Sequence, residues 1–361
     1  MSSIRGIAIN GRFLGRPVSG VERYGREILR AWDRRLHANP VLPRPRILVP
    51  AGAHVDLPLS AMSVERVGRR QGHSWEQFDL GRAARHDVLI SLANSGPVLH
   101  RRHLVVVHDA AVFRFGENYG FRYRTLHRAL GRLLARTAQL ATVSRFSQCE
   151  LARFLRLAPN RILVAGNGSE HLAGAVADEG VIERLGLIDR RFLLTVGTAS
   201  HNKNLALALA AWAKLPSSAA RLVVVGPIND RVFAASGLSA INGVVLAGRL
   251  SDDALTALYR HANALVFPSR YEGFGIPPVE AMANGCPVLA AAIPPVQEVC
   301  GDEARYFDPD DADGLARLMT ERLESTLDLA ETDRLRARAA GASWASSAAK
   351  IADAAIELAR A

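Results

Sequence analysis

The sequence predicts an α/β fold made of two doubly wound, Rossmann-like domains. Three observations predict it. Short apolar, β-branched runs alternate with segments of helical period along the whole chain, which is the pattern of parallel strands covered by helices on both faces. The runs fall into two series separated by a turn-rich stretch near 166–190. The length, 361 residues with 49% apolar side chains, suits two cores better than one.

The first series of strands is expected at "GIAIN" (6–10), "RILVP" (46–50), "DVLISL" (87–92), "HLVVVH" (103–108), "QLATV" (139–143) and "RILVA" (161–165). The second is expected at "FLLTVG" (192–197), "RLVVVG" (221–226), "GVVLAG" (243–248), "ALVFP" (264–268), "PVLAA" (287–291) and "ARYF" (304–307). Helical period marks 22–33, 119–136, 145–156, 203–213, 252–261, 278–284 and 313–323. The first domain is therefore expected over 1–172 and the second over 173–344, with an alanine-rich helical tail at about 345–361 that packs back on the first. Two such halves would place a ligand in a central cleft between the carboxyl ends of their strands.

Composition narrows the function. No apolar run reaches the length of about 18–20 residues that spans a bilayer, and the start "MSSIRGIAING" lacks the apolar core of a signal peptide. Three cysteines without metal-ligand spacing fit a reduced, cytoplasmic protein. The net charge of +10 is almost all arginine, since Lys203, Lys214 and Lys350 are the only lysines. Such a charge admits a GC-rich genome, a nucleic-acid partner or an anionic surface. Zinc-finger spacing and an RNA-stacking motif are both missing, so a nucleic-acid partner is not expected.

The most specific string is "RYEGFGIPPVEAMANG" (270–285). Pro277 and Pro278 fit the first turn of a helix and nowhere else in one, so a helix is expected to start near 277. Glu272 then lies on the preceding loop, and Glu280 lies on the helix close to its start. Gly273 and Gly275 let backbone amides, including those of 274–276, approach a ligand. Two carboxylates placed this way can accept hydrogen bonds from several hydroxyls, as a sugar or a ribose presents. Either glutamate alone would also pass as a helix cap or an incidental loop residue.

Residues 271–288 resemble, almost throughout, the E-x7-E segment of retaining glycosyltransferases of family 4, which have the GT-B fold. Other blocks are similar too: "NGRFLGRPVSGVERYGREIL" (10–29), "HSWEQFDL" (73–80), "VVVHDAAVFRF" (105–115), "ATVSRFSQCEL" (141–151), "NG" (167–168), "VGTASHNKNL" (196–205) and "LAGRLSDDALTALYRHANALVFPS" (246–269). The resemblance runs from about residue 4 to 325. It implies a first domain that binds the acceptor and a second that binds a nucleotide diphosphate sugar.

Residue by residue, the resemblance assigns catalysis to His108, Lys203 and Glu272. It assigns donor binding to Gly20, Gly197, Thr198, Asn202, Lys203, Arg249, Leu250, Gly273, Phe274, Gly275, Ile276 and Glu280. Lys203 would meet the diphosphate, Glu280 the ribose, Glu272 the transferred sugar, and His108 the region beside that sugar. A cation at the start of a helix opposes the helix dipole, so an anionic ligand would explain Lys203. His201 and Asn202 stand where relatives often carry an arginine before that lysine, which leaves the second positive contact unassigned. Gly20 reads equally as an ordinary turn into a helix. Asp109 would either orient the His108 ring or cap the next turn.

Two further features have competing readings. Asp308 and Asp310 in "FDPDDAD" form a D-x-D pair, but Pro309 and the following helical pattern favour a turn and an N-cap over a metal site. No metal or other cofactor is expected. Arg124, Arg128, Arg132 and Arg136 recur every four residues and form either a solvated face or a strip for anionic lipid or a polyprenyl-pyrophosphate-linked acceptor.

The expected activity is retaining transfer of a hexose, with mannose from GDP-mannose preferred, to a glycan or lipid-linked acceptor in O-antigen or exopolysaccharide synthesis. The alternatives are a UDP- or dTDP-sugar donor, or a non-catalytic sugar-nucleotide-binding subunit. The expected location is the cytoplasm, with contact to the inner face of the plasma membrane.

Overall fold

The computed structural model describes residues 6–173, 175–198, 200–216, 219–227, 242–326 and 328–360. They form two compact units, one running to Asn167 and taking in the tail from Ser343, the other spanning Gly168–Ala342. The division at 167/168 falls a few residues before the expected 172/173.

The first unit holds a seven-stranded parallel sheet: β1 (Ile7–Asn10), β2 (Arg46–Pro50), β3 (Ser63–Val67), β4 (Val88–Ser91), β5 (His103–Val106), β6 (Gln139–Thr142) and β7 (Ile162–Val164). Their order is β3-β2-β1-β4-β5-β6-β7. β1, β4 and β5 are buried from end to end, which is why they read as unbroken apolar runs. β3 was not expected from the sequence. It pairs only with β2, at the sheet edge, and its alternating "SVERV" is half-exposed, with Glu65 and Arg66 blunting the edge. The helix Gly20–Ala38 is longer than the 22–33 that period alone predicts. A capping box fixes its start: the Ser19 amide donates to Glu22 Oε2 at 3.3 Å, and the Ser19 hydroxyl bonds the same carboxylate. The tail helix Trp344–Arg360 packs on that helix, with Trp344 edge-on to Tyr24 at 5.8 Å.

The second unit carries a six-stranded parallel sheet: β8 (Phe192–Val196), β9 (Arg221–Val225), β10 (Val244–Gly248), β11 (Ala264–Phe267), β12 (Val288–Ala291) and β13 (Ala304–Phe307), ordered β10-β9-β8-β11-β12-β13. In both sheets the winding reverses once, between β1 and β4 in the first and between β8 and β11 in the second. Where winding reverses, the connections leave in opposite directions and open a crevice outside the carboxyl ends of the two strands. The sequence-derived site residues that follow β8 and β11 lie at such a reversal, while Arg249 and Leu250 follow the edge strand β10. Among the described residues no helix is long and apolar enough to cross a membrane.

Candidate active site

At the β8–β11 reversal, three loops are tied together. After β8 the chain turns at Gly197 and Thr198 and forms a single turn of 3-10 helix, His201–Lys203. The Gly197 amide donates to Val225 O (2.9 Å) and the Gly226 amide to Gly248 O (2.8 Å), linking the ends of β8, β9 and β10. Gly226 has φ +142° and packs so closely that a Cβ there would lie 1.9 Å from the Gly197 carbonyl oxygen. The Arg270 amide donates to Asn202 O at 2.8 Å, joining the His201–Lys203 turn to the loop after β11. Arg249 and Leu250 follow β10 at the same end of the sheet, with Arg249 exposed.

The helix after β11 is Ile276–Ala283. Gly275, with φ +107°, precedes it in a conformation that a side chain would strain, and Pro277 and Pro278 fill its first turn. Phe274 is buried and anchors the loop. Lys203 Nζ sits 2.6 Å from Glu272 Oε1, with side-chain exposures of 29% and 14%. This ion pair gives Lys203 a structural partner, which the sequence reading had lacked. Beside the pair, the Ser269 hydroxyl is buried and has no hydrogen-bond partner among the described residues, although it lines the same small cavity as Gly197, Thr198 and Lys203. Sequence reasoning missed Ser269, whose only signal was its place just past the strand.

Glu280 is more enclosed than expected. Its Oε1 lies 2.9 Å from His171 Nε2 and its Oε2 accepts from Tyr259 at 3.0 Å, with all three side chains buried. Burial, then the Glu280 charge, pushes the Tyr259 phenol well above its ordinary value, so it stays a donor. Glu280 therefore joins its helix to the segment Glu170–Ala173 and the helix Asp252–His261.

In the first unit, His108 follows β5 and is 7% exposed. Its ring is oriented by the Leu92 carbonyl, which accepts from Nε2 at 2.9 Å, and by Tyr24, edge-on at 4.8 Å. Asp109 Oδ1 accepts from the Ala111 amide at 2.8 Å and caps the next turn. Burial lowers the His108 pKa to about 4, so the ring is neutral at physiological pH, with Nδ1 the acceptor. Gly20 is the first residue of its helix, behind the Ser19 cap.

The arginine strip divides. Arg124 donates to Gly116 O (3.2 Å), and Arg128 to Val112 O (2.9 Å) and Phe113 O (2.8 Å), so both tie down the segment before their own helix instead of facing out. Spacing of four sets the face of a helix but not where a long side chain reaches back to. Arg132 and Arg136 are exposed and line a surface cavity of about 530 Å³ with Arg156, and Arg136 lines a second of about 410 Å³ with Arg161.

The D-x-D pair forms a turn. Asp308 Oδ1 accepts from the Asp310 amide (2.8 Å), Asp310 pairs with Arg270, and Asp311 caps the helix Ala312–Glu324. Among the described residues no cluster of three or more His, Cys, Asp or Glu side chains could hold a metal.

Residues 182–341 match the family model described as glycosyl transferases group 1. The chain is 28% identical over 234 residues to O-antigen chain mannosyltransferase B of Escherichia coli, a match spanning 62% of this chain and 61% of that protein. Its fold matches that of WaaG, a glycosyltransferase involved in lipopolysaccharide biosynthesis, with TM-score 0.74 and 19% identity over 96% of this chain and 98% of that one. The HepE protein of Anabaena, solved with UDP and glucose, gives 0.74 and 19% over 97% and 98%. These matches place the two Rossmann-like units in the GT-B fold class.

Proposed function

We propose that this chain, whose residues 182–341 match the glycosyl transferases group 1 model, is a retaining hexosyltransferase that uses a nucleotide diphosphate sugar. The observation that carries the reading is the cation, carboxylate and unpartnered hydroxyl of Lys203, Glu272 and Ser269 gathered at the β8–β11 reversal. The glycosidic C–O bond of the donor breaks, and its electron pair goes to the β-phosphate. Lys203 and the amides of 274–276 stabilise that charge. The acceptor hydroxyl forms the new C–O bond on the face the phosphate leaves, and its proton passes to the departing phosphate oxygen. Glu272 holds hydroxyls of the sugar, and His108 enters only as a neutral hydrogen-bonding group.

Mannose from GDP-mannose is the proposed donor, supported by the E. coli mannosyltransferase match; the HepE complex with UDP and glucose supports a UDP-sugar as the alternative. The acceptor is a glycan of the O-antigen type. The test is a thermal-shift screen of GDP-mannose, UDP-glucose and dTDP-rhamnose, followed by assay of nucleoside diphosphate release in EDTA. We expect GDP-mannose to raise the melting point, since a ligand that binds only the folded state stabilises it, and slow hydrolysis to yield the α-sugar. A shift without release would favour a non-catalytic binding subunit; no shift with any donor would defeat both readings.

The proposed contact with an anionic membrane falls on Arg132, Arg136, Arg156 and Arg161 and not on the full strip. Each such charge contributes about 1 kcal/mol near an anionic surface. Co-sedimentation with phosphatidylglycerol vesicles is expected to drop sharply when the four are replaced by glutamine; unchanged binding would rule the contact out.

A further inference from the structure

The winding of the first sheet reverses between β1 and β4, and a built cluster sits there that the donor chemistry does not use. Its centre is Glu76, 1% exposed, on an irregular helical turn within the "HSWEQFDL" block. Glu76 Oε1 accepts from Asn10 Nδ2 (2.9 Å) and meets Arg12 Nε (3.0 Å), and Oε2 meets His73 Nδ1 (3.0 Å). The Ser95 hydroxyl lies 3.0 Å from both oxygens and accepts from Arg12 Nη2 at 2.9 Å. Asn10 ends β1, Arg12 follows it, and Ser95 follows β4. A buried carboxylate so fully occupied is a positioning group: it holds Arg12 and His73 in place.

From His73 a row of rings runs outward. His73 meets His127 edge-on at 5.3 Å, His127 meets Tyr123 at 4.0 Å, and Tyr123 stacks on Tyr119 at 5.5 Å with planes 13° apart. Tyr123 and His127 are four residues apart on the helix Phe121–Thr137, so helix geometry brings them onto one face, and Tyr119, in the extended segment before that helix, stacks on Tyr123. Tyr123 remains 49% exposed, where a tyrosine needed only for packing would be covered. Burial, then His73 and Arg12, lower the His127 pKa, so this ring too is neutral and presents an apolar face.

We propose that this row is the acceptor saccharide platform, with Tyr123 and His127 as the residues that bind it and Glu76 as a positioning residue behind them. The C–H face of a pyranose is apolar and packs on aromatic rings, while its rim of hydroxyls needs polar partners. The row supplies the first, and His73, with Arg12 behind it, supplies the second. The ligand class is an oligosaccharide end, free or lipid-linked. This inference rests on the glycosyltransferase reading above.

The test uses the full chain and saturation-transfer NMR with di- to tetrasaccharides of mannose, glucose, galactose and rhamnose. A parallel arm offers detergent-solubilised glycolipid carrying the same ends. We expect transfer to one face of the sugar, about tenfold weaker binding in the Tyr123→Ala/His127→Ala double variant, and near-parental binding in Tyr123→Phe, which keeps the ring. Binding in the glycolipid arm alone would assign the site to lipid-linked ends. Donor-induced thermal shifts should stay unchanged in all variants. If the donor binds but no saccharide does in either arm, or if saccharides bind the double variant as well as the parent, the platform is wrong while the donor site stands. If no donor binds at all, the glycosyltransferase reading itself has failed.

Discussion

Lys203→Ala is expected to lower kcat/KM by roughly 10²–10³-fold, as removal of a preorganised group facing developing charge does elsewhere, while the melting point moves little. Two features separate these effects. The Lys203–Glu272 pair is only partly buried, with exposures of 29% and 14%, so solvent screens most of its worth to the fold. In the proposed reaction the same cation would face the departing phosphate, whose developing charge it would stabilise. The Lys203–Glu272 ion pair also bears on Glu272. A donor phosphate must compete with this carboxylate for the lysine, so Glu272→Gln should bind nucleoside diphosphate at least as tightly as the parent. Turnover should nonetheless fall, because the amide accepts sugar hydroxyls more weakly than the carboxylate does. Calorimetric titration with the nucleoside diphosphate, set beside turnover, checks both. Full activity of Glu272→Gln would remove Glu272 from the sugar, and a large loss of stability in Lys203→Ala would make the lysine a structural residue.

How much of this was legible in the sequence depended on whether a feature is local. The strands buried on both faces were readable as apolar runs, and β3 was not, because an edge strand alternates and carries charge. The course of 272–283 was readable because backbone chemistry dictates it: Gly275 at φ +107° and two prolines allow little else. What side chains meet across long sequence separations was not readable. Glu280 finds His171 from 109 residues away and Tyr259 from 21. Arg124 and Arg128 shared a period with Arg132 and Arg136, yet they turn back to backbone carbonyls of 112–116. The ring row shows both cases at once. The spacing of Tyr119, Tyr123 and His127 is in the sequence, but its continuation to His73 depends on how Glu76 is held at the β1–β4 reversal.

Glu280→Ala is expected to destabilise the second unit by about 3 kcal/mol, since removing one member of a buried, hydrogen-bonded charged cluster strands its partners. Tyr259 and His171 would both lose the acceptor between them, and each is too buried to turn to water. For a unit of this size the melting point should fall by about 6–12 °C. This changes what an inactive alanine variant would mean, because loss of donor binding could then follow from a loosened helix and say nothing about the ribose. Glu280→Gln resolves the ambiguity. Its amide oxygen can still accept from Tyr259 and its NH₂ can donate to an unprotonated His171 nitrogen, so most of the stability should return. What it loses is charge, and a carboxylate that has spare lone pairs for ribose hydroxyls is a stronger acceptor than an amide. A Glu280→Gln protein that melts near the parent but binds the nucleotide about tenfold more weakly would place Glu280 on the ligand. One that melts near the parent and binds as well would leave it as the post that fixes the helix behind Lys203 and Glu272.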